Sequence, residues 1–203
     1  MVTIIDIGMG NLRSIEKRLN NIDVECQITS NKNKILNASK LILPGVGHFK
    51  SAMHNLQQAG LIETLNETVL EKKTPILGIC LGMQIMANYS EEGNCKGLGW
   101  FDARVVKFTV KDSLLFKIPH MGWNTAIHKK ESQLLKGIKE DNSFYFVHSY
   151  HIICHDKNDI LATTRYSYDF TSIIEKQNII GTQFHPEKSH DWGGKLLTNF
   201  AMI

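Results

Sequence analysis

Short apolar runs alternate with amphipathic segments through the first half of the chain. Residues 2–7 form an apolar run, and after the loop 8–11 the residues Leu12, Ile15 and Leu19 recur at helical spacing behind an N-cap candidate, Asn11. The same reasoning predicts further strands at 24–28, 40–43 and 75–79 and further helices at 50–58, 61–72 and from 82 to 88. This alternation is typical of a parallel sheet with helices on both faces.

The second half of the chain is richer in strand patterns. They predict strands at 103–108, 124–128, 145–154, 160–166, 171–175 and 179–185, and a closing helix at 193–202. Because no repeat, low-complexity stretch or linker interrupts the chain, residues 1–203 are predicted to form a single domain. The predicted fold is α/β, with a mostly parallel central sheet, helices on both faces and additional antiparallel strands in the C-terminal half. The site is expected at the carboxyl ends of the parallel strands.

Composition narrows the class of function without identifying it. Lys plus Arg total 23 against 20 for Asp plus Glu, and the basic residues are scattered, which gives no support for nucleic-acid binding. The N-terminal apolar run is too short for a secretory signal and no apolar run approaches about 18 residues, so we expect a cytoplasmic protein with no membrane segment. The four cysteines show no C-x-x-C spacing and are expected to be free thiols rather than disulfides or zinc ligands.

The segment 75–84, PILGICLGMQ, carries the most informative chemistry. A strand pattern passes directly into a helical one, which places Cys80 on the corner between them, with Gly78 and Gly82 two residues away on either side. Such a corner lifts a nucleophile above the sheet, and it needs small neighbours because the backbone is crowded there. The N–H groups at the start of the helix favour a thiolate. The competing interpretation is a buried core cysteine.

A second motif, TQFHPEKS at 182–189, supplies what a cysteine nucleophile requires. His185 and Glu187 are two residues apart, so in extended backbone they lie on the same side. An imidazole takes the thiol proton, and a neighbouring carboxylate fixes the imidazole tautomer and stabilises the imidazolium. His-x-Glu alone is common on protein surfaces, but together with Cys80 on a strand-to-helix corner it indicates a Cys-His-Glu triad.

Two loops, GMGN at 8–11 and PGVG at 44–47, are rich in glycine. Neither has the full spacing of a nucleotide fingerprint, and taken alone both are simple turns. Beside Cys80 the second loop has a further use, because attack on an amide creates an oxyanion that needs two preorganised donors. The N–H of Leu81 is one candidate donor, and the N–H of Val46 or Gly47 is the other.

Seven segments carry a resemblance to a known family. They are IIDIGMGN at 4–11, LILPGVGHF at 41–49, GICLGMQ at 78–84, SEEG at 90–93, PHMGWN at 119–124, YFVHSY at 145–150 and GTQFHPEKS at 181–189. The chain resembles the class I, or triad, glutamine amidotransferases, which hydrolyse the side-chain amide of glutamine and deliver ammonia. Within them it resembles the HisH group, the glutaminase subunits of imidazole glycerol phosphate synthase in histidine biosynthesis. The motifs PGVG and PHMGWN separate this group from the other relatives.

The resemblance implies roles for particular residues. Cys80 is the nucleophile, His185 the general base and then acid, and Glu187 the orienter of the imidazole. The residues implied to bind glutamine are Gln84, Glu92, Ser149 and Tyr150. The residues implied to face a partner are Met121, Trp123, Asn124 and Lys188. That partner is a HisF-like (β/α)8 barrel synthase subunit, which forms a heterodimer with the glutaminase and consumes its ammonia, and the family uses no cofactor and no metal.

Two other interpretations stay open. Trp192, the segment GLGW at 97–100 and His151 depart from the usual pattern and are similar to HisH-like paralogues of surface-polysaccharide clusters, whose ammonia goes to a sugar. The other is a regulatory subunit without activity, which the intact triad and PGVG loop disfavour. His120, His148, His151 and His190 are predicted to be structural because none is paired with a recognisable nucleophile.

Overall fold

The structure, a computed structural model, describes residues 1–110, 112 and 114–203. In this part of the chain the strands are β1 Val2–Ile5, β2 Cys26–Thr29, β3 Leu41–Leu43, β4 Ile76–Ile79, β5 Ala87–Ser90, β6 Cys95–Lys96, β7 Phe101–Lys107, β8 His120–Thr125, β9 Ile127–His128, β10 Ser143–His148, β11 Tyr150–Cys154, β12 Ile160–Tyr166, β13 Tyr168–Lys176 and β14 Ile179–Thr182. The α-helices are α1 Leu12–Asn20, α2 Lys32–Leu36, α3 Phe49–Gln58, α4 Leu61–Asn66, α5 Leu81–Gln84 and α6 His190–Met202. A π-helical turn, Glu67–Glu71, extends α4.

One large sheet joins both halves of the chain. Its order is β2-β1-β3-β4-β14-β13-β11-β7-β5-β6, and β12 and β9 branch from β13. The five strands from β2 to β14 are parallel to one another. β13 is antiparallel to both β14 and β11, and β11 is antiparallel to β7, whereas β7 pairs with β5 in parallel. The predicted fold class is therefore confirmed, including the antiparallel strands of the C-terminal half.

Apolar side chains cover both faces of the parallel strands. Because neighbouring residues of a strand point to opposite faces, Ile5 of β1 packs with the helices α3 and α4, and Ile4 packs with α1 and α6. In α1, Ile15 and Leu19 form the buried stripe, and the side chain of Asn11 caps the helix by accepting a hydrogen bond from the N–H of Ser14. The helices therefore flank the sheet on two sides, and the carboxyl ends of its parallel strands stay open at one edge.

The helix predicted over 82–88 is shorter in the structure, where α5 ends after one turn and β5 follows. The carbonyls of Ile85 and Met86 accept hydrogen bonds from the N–H groups of Leu98 at 2.7 Å and Trp100 at 2.9 Å. These long-range bonds replace the bonds that would extend the helix. The prediction was wrong because the apolar pattern does not show where a carbonyl finds its partner.

The strand predicted over 145–154 is two strands that belong to different sheets. β10 pairs with β8 in a separate two-stranded sheet, and β11 pairs with β7 in the large sheet. Burial alternates through β10 and then falls out of phase at Ser149 and Tyr150, which are both half-buried. In addition, β8 begins at His120, ahead of the predicted 124–128, and β5 and β6 lie outside the predicted strands.

Helices of the described residues are all too short or too polar to cross a membrane.

Candidate active site

Cys80 lies on a strained corner between β4 and α5. Its backbone has φ 54° and ψ −108°, a left-handed conformation that costs a non-glycine residue on the order of 1–3 kcal/mol. A Cβ on Gly82 would lie 1.8 Å from the carbonyl oxygen of Leu43, and one on Gly78 would lie 2.7 Å from the backbone nitrogen of Met83. The corner therefore requires the two glycines that flank Cys80 in the sequence.

The neighbouring parallel strand brings His185 to the same corner. β14 pairs with β4 so that Thr182 lies opposite Ile79, and the N–H of Cys80 donates to the carbonyl of Thr182 at 2.7 Å. Three residues further along the chain, His185 Nδ1 lies 2.8 Å from Glu187 Oε1, and both side chains are only 2% exposed. Two adjacent strand ends thus collect the three residues predicted to form a triad.

Ser189 fixes the turn that carries His185. Its hydroxyl donates to the carbonyl of His185 at 2.6 Å and accepts from the N–H of Tyr145 at 2.9 Å. The N–H of His185 donates in turn to the carbonyl of Tyr145 at 2.9 Å. The histidine backbone is therefore tied to β10 on two sides, which restricts the motion of the imidazole relative to the corner.

The environment of His185 favours the imidazolium. Burial alone lowers the pKa of an imidazole, but the negative charge and hydrogen bond of Cys80 and the adjacent Glu187 carboxylate outweigh burial and raise the pKa of His185 to about 10. In the described part of the chain, His185 Nε2 has no N or O hydrogen-bond partner. The arrangement can therefore hold an imidazolium beside a thiolate, with Nε2 available for proton transfer.

A cavity of about 340 Å³ opens in front of Cys80 and His185. All four residues implied to bind glutamine line it, namely Gln84, Glu92, Ser149 and Tyr150. The three residues predicted to stabilise an oxyanion line it as well, namely Val46, Gly47 and Leu81. Lys188 contributes to the rim, and Glu187 lies behind His185 outside the cavity.

Glu92 presents a carboxylate to the cavity from a fixed position. Its Oε2 accepts a hydrogen bond from the N–H of Phe49, the first residue of α3, at 2.8 Å. The N–H of Glu92 donates to the hydroxyl of Ser90 at 3.0 Å. A carboxylate at a helix N-terminus is stabilised by the helix dipole, and its second oxygen can meet a cationic group of a ligand.

The PGVG loop packs directly on the corner that carries Cys80. A Cβ on Gly45 would lie 2.9 Å from both the nitrogen of Gly82 and the Cβ of Leu81. Val46 and Gly47 are exposed, and Gly47 has φ +104°, a conformation that favours glycine. Leu81 is the first residue of α5, where backbone N–H groups have no partner within the helix. The loop and the helix start therefore border the sulfur from two sides.

A family model described as Glutamine amidotransferase class-I matches residues 3–203. The chain belongs to the class I glutamine amidotransferase family. It is 52% identical over 200 residues to Imidazole glycerol phosphate synthase subunit HisH 2 of Methanococcus maripaludis, with 98% of each chain covered. It is 46% identical over 204 residues to subunit HisH 1 of Campylobacter jejuni and 44% identical over 204 residues to subunit HisH of Leptospira borgpetersenii, with 100% of each chain covered.

Solved structures with lower identity share the fold of this amidotransferase. The crystal structure of a glutamine amidotransferase superposes with a TM-score of 0.74 at 17% identity, and all of both chains is covered. PurLQS from Thermotoga maritima superposes with a TM-score of 0.71 at 16% identity, over 98% of this chain and 96% of that chain.

Three of the four predicted partner-facing residues of this amidotransferase are exposed beside the cavity. Met121 is 62% exposed and Trp123 47% exposed on one face of β8, and the Trp123 ring stacks on His190 with ring centroids 4.8 Å apart. Lys188 is exposed, and its ammonium lies 5.9 Å from the centroid of the Tyr145 ring. We refer to Met121, Trp123 and Lys188 as the docking face.

Asn124 does not share the docking face. It lies one residue beyond Trp123 on β8, so its side chain projects from the opposite side of the strand. Its Nδ2 donates to the carbonyl of Arg165 at 3.0 Å and lies 3.4 Å from His120 Nε2. The amide of Asn124 is therefore engaged within the molecule.

Gln183 is a site residue that sequence reasoning missed. It is fully buried, and its Nε2 lies 3.7 Å from the sulfur of Cys80. Its Oε1 accepts a hydrogen bond from Gln84 Nε2 at 3.1 Å. The spacing of two residues between Gln183 and His185 could have identified it, since alternate residues of an extended segment face the same side.

The other thiols and histidines of this amidotransferase have different surroundings. All four cysteines are free, and burial raises the pKa of the Cys154 thiol to about 12. His120, His148 and His151 lie around the ring of Phe108, and His148 also lines the cavity. Among the residues that the structure describes, no group of three or more His, Cys, Asp or Glu side chains could hold a metal ion.

Proposed function

We propose that this amidotransferase is a glutaminase that hydrolyses L-glutamine to L-glutamate and ammonia. The observation that carries the proposal is the buried His185–Glu187 pair, with its 2.8 Å contact, next to Cys80 on a strained strand-to-helix corner. A thiol in this position has a base, an orienting carboxylate and a cavity in front of it, which is the set that acyl transfer requires.

The proposed mechanism uses the proton held by His185. The Cys80 thiolate attacks the γ-carboxamide carbon of glutamine, and the oxyanion that forms accepts hydrogen bonds from the N–H of Leu81 and from the N–H of Val46 or Gly47. His185 then gives its Nε2 proton to the departing ammonia, which leaves a γ-glutamyl thioester on Cys80. Neutral His185 next takes a proton from water, and the resulting attack on the thioester carbon releases glutamate and restores the thiolate.

Substrate recognition follows from the polar groups of the cavity. The free oxygen of Glu92 binds the α-ammonium of glutamine, and Ser149 and Tyr150 contribute to the α-amino and α-carboxylate end. Gln84 uses its Nε2 within the protein, on the carbonyl of Tyr150 at 2.9 Å and on Gln183. Its Oε1 therefore remains the group that can accept a hydrogen bond from the substrate.

We propose that the ammonia passes to a HisF-like (β/α)8 barrel in a cytoplasmic heterodimer of histidine biosynthesis, and that residues 1–203 act as one domain. The similarity to subunits named HisH over the full chain supports this acceptor. The docking face supports a partner beside the cavity, because an exposed tryptophan is a common anchor of protein interfaces. Ammonia released into solvent is lost, so the chemistry itself calls for a second active site nearby.

A second acceptor is a sugar-modifying partner in surface-polysaccharide biosynthesis. The names HisH 2 and HisH 1 number the subunit within one organism, as expected where an organism has more than one such subunit. Trp192, which by resemblance departs from the histidine-pathway pattern, is exposed. Both acceptors require the same glutaminase reaction.

The test of the reaction is direct detection of the thioester. The complex with a HisF-like barrel is mixed with glutamine, quenched in acid, digested and examined by mass spectrometry. We expect a glutamyl adduct on the peptide that contains Cys80, no adduct on the peptide that contains Cys154, and neither adduct nor ammonia with Cys80→Ala. Ammonia release by a folded Cys80→Ala variant would refute the assignment of the nucleophile.

A further inference from the structure

A chain of hydrogen bonds leads inward from strand β8. Asn124 Nδ2 lies 3.4 Å from His120 Nε2, and His120 Nδ1 lies 3.1 Å from His148 Nε2. His148 Nδ1 lies 2.8 Å from the carbonyl oxygen of Tyr150. The chain thus connects the strand that carries Trp123 to the wall of the cavity.

Only one arrangement of protons satisfies these three hydrogen bonds. Burial lowers the pKa of His120 to about 4 and that of His148 well below 6.5, so at neutral pH each ring has one N–H. A carbonyl can only accept, so His148 Nδ1 carries its proton and its Nε2 accepts. His120 Nδ1 must then donate to His148, and His120 Nε2 accepts from the amide of Asn124. Every bond therefore points toward Tyr150.

The chain continues from the carbonyl of Tyr150 to the nucleophile. Gln84 Nε2 donates to that carbonyl at 2.9 Å and to Gln183 Oε1 at 3.1 Å. Because Oε1 of Gln183 is the acceptor, its Nε2 faces the sulfur of Cys80 at 3.7 Å. Both glutamines are buried, at 4% and 0% exposure. A buried amide without partners would be costly, so these bonds fix the two side chains in place.

We propose that Gln183 is a catalytic residue that donates a hydrogen bond to the Cys80 thiolate. Gln84, His148 and His120 are positioning residues: they link Gln183 to strand β8 and hold its side chain in place. The inference deepens the proposed glutaminase function and rests on it. No proton is transferred from Gln183; its N–H stabilises the sulfur while it is an anion, before attack and again when the thioester breaks. A bond from a neutral donor to an anion is stronger than one to the neutral sulfur of a thioester.

The chain of hydrogen bonds also gives Asn124 a role that its position on β8 did not suggest. Trp123 projects toward the docking face and Asn124 toward His120. A partner that shifts β8 would therefore move the first donor of the chain. His120 and His148 lie directly opposite each other in the pairing of β8 with β10, so a shift of one strand changes the bond between them.

The first experiment measures alkylation of Cys80 by iodoacetamide at neutral pH, read by peptide mass spectrometry on the full isolated chain. Gln183→Glu keeps the shape and the acceptor for Gln84 but places a carboxylate against the sulfur. Gln183→Met removes the donor without adding a charge and covers the case in which the buried carboxylate unfolds the chain. We expect Gln183→Met to be alkylated at least about tenfold more slowly than the parent, because a hydrogen bond to a charged group is lost. Gln183→Glu should show a larger decrease in rate. Rates within about twofold of the parent chain in both variants would overturn the proposal.

The second experiment tests the positioning residues in the complex with a HisF-like barrel. His148→Phe interrupts the chain of hydrogen bonds. His151→Phe is its matched control, because His151 packs on the same Phe108 ring but forms hydrogen bonds with Tyr168 and with the carbonyl of Ile152. We expect His148→Phe to lower kcat by about tenfold and His151→Phe to leave kcat unchanged. In the double variant with Gln183→Met the losses should not add, because both act on one chain. Additive losses, or equal losses in both phenylalanine variants, would overturn the positioning role.

These measurements separate two kinds of failure. If the parent complex releases no ammonia from glutamine, the proposed function fails, but alkylation of the isolated chain still reports on Gln183 and Cys80. If the parent complex is active and Gln183 variants alkylate normally, only the present inference fails.

Discussion

Replacement of Glu187 by glutamine isolates the charge of the orienting carboxylate. The side chain keeps its length, and its amide oxygen can still accept a hydrogen bond from His185 Nδ1, which lies 2.8 Å from Oε1 in the parent chain. Both side chains are only 2% exposed, so water cannot replace the missing charge. The substitution should therefore leave the shape of the site intact and weaken the imidazolium alone.

Two estimates bracket the size of the effect. Loss of charge assistance in one buried hydrogen bond costs about 2 kcal/mol. The full Coulomb attraction of unit charges at 2.8 Å is about 6 kcal/mol at an effective dielectric constant of about 20. At about 1.4 kcal/mol for each factor of ten, these energies correspond to a fall in kcat of about 30- to 10⁴-fold. The KM for glutamine should change little, because Glu187 lies outside the cavity.

Glutamate formation in the complex with a HisF-like barrel is the assay, and its pH profile adds an independent readout. Glu187 is one of the groups that raise the pKa of His185 to about 10, so in Glu187→Gln the alkaline loss of activity should begin at lower pH. Glu67→Gln is a control, since the side chain of Glu67 forms a solvent-exposed ion pair with Lys72. A drop in kcat of less than about tenfold with an unchanged pH profile would mean that something else holds the imidazolium.

Three further outcomes follow from the packing. Gly82→Ala would place a Cβ 1.8 Å from the carbonyl of Leu43, so thermal unfolding should shift down by about 5 °C or more, and an unchanged midpoint would contradict the crowded corner. Burial lowers the pKa of His120 and His151 from 6.5 to about 4, so between these pH values the unfolded chain binds more protons than the folded one. Urea denaturation should therefore show the free energy of unfolding falling as the pH drops from 6.5 to 4. A free energy that does not change over this range would count against buried neutral rings. Trp123→Ala should weaken binding of a HisF-like barrel by about tenfold or more in calorimetry, and unaltered affinity would exclude Trp123 as an anchor.

The parallel half of the fold could be predicted because each of its elements has a local cause. Apolar runs of strand length alternate with amphipathic stripes, and Asn11 caps α1 at the predicted position. The corner at Cys80 was also predictable, since Gly78 and Gly82 are the residues that such a corner requires. His185 and Glu187 follow from their spacing together with the parallel pairing of β14 with β4.

The remaining features depend on long-range partners that a local pattern does not contain. The helix α5 stops because distant N–H groups take the carbonyls of Ile85 and Met86. The chain changes sheet at Ser149 because the residues before it pair with β8 and the residues after it pair with β7. The same limit applies to Asn124, whose surroundings only the folded chain brings together.

The central claim is that this chain supplies ammonia to a docked synthase barrel. Its most direct test is the rate of glutamate release by the chain alone, by the chain with a histidine-pathway barrel and its ligand, and by the chain with a polysaccharide-pathway homologue and its acceptor. If docking is needed to present the N–H of Val46 or Gly47, the isolated chain lacks one oxyanion donor, and the histidine-pathway barrel should raise the rate by about 10²–10³-fold. Full activity of the chain alone would contradict partner dependence, and activation by the polysaccharide-pathway homologue alone would contradict the histidine assignment.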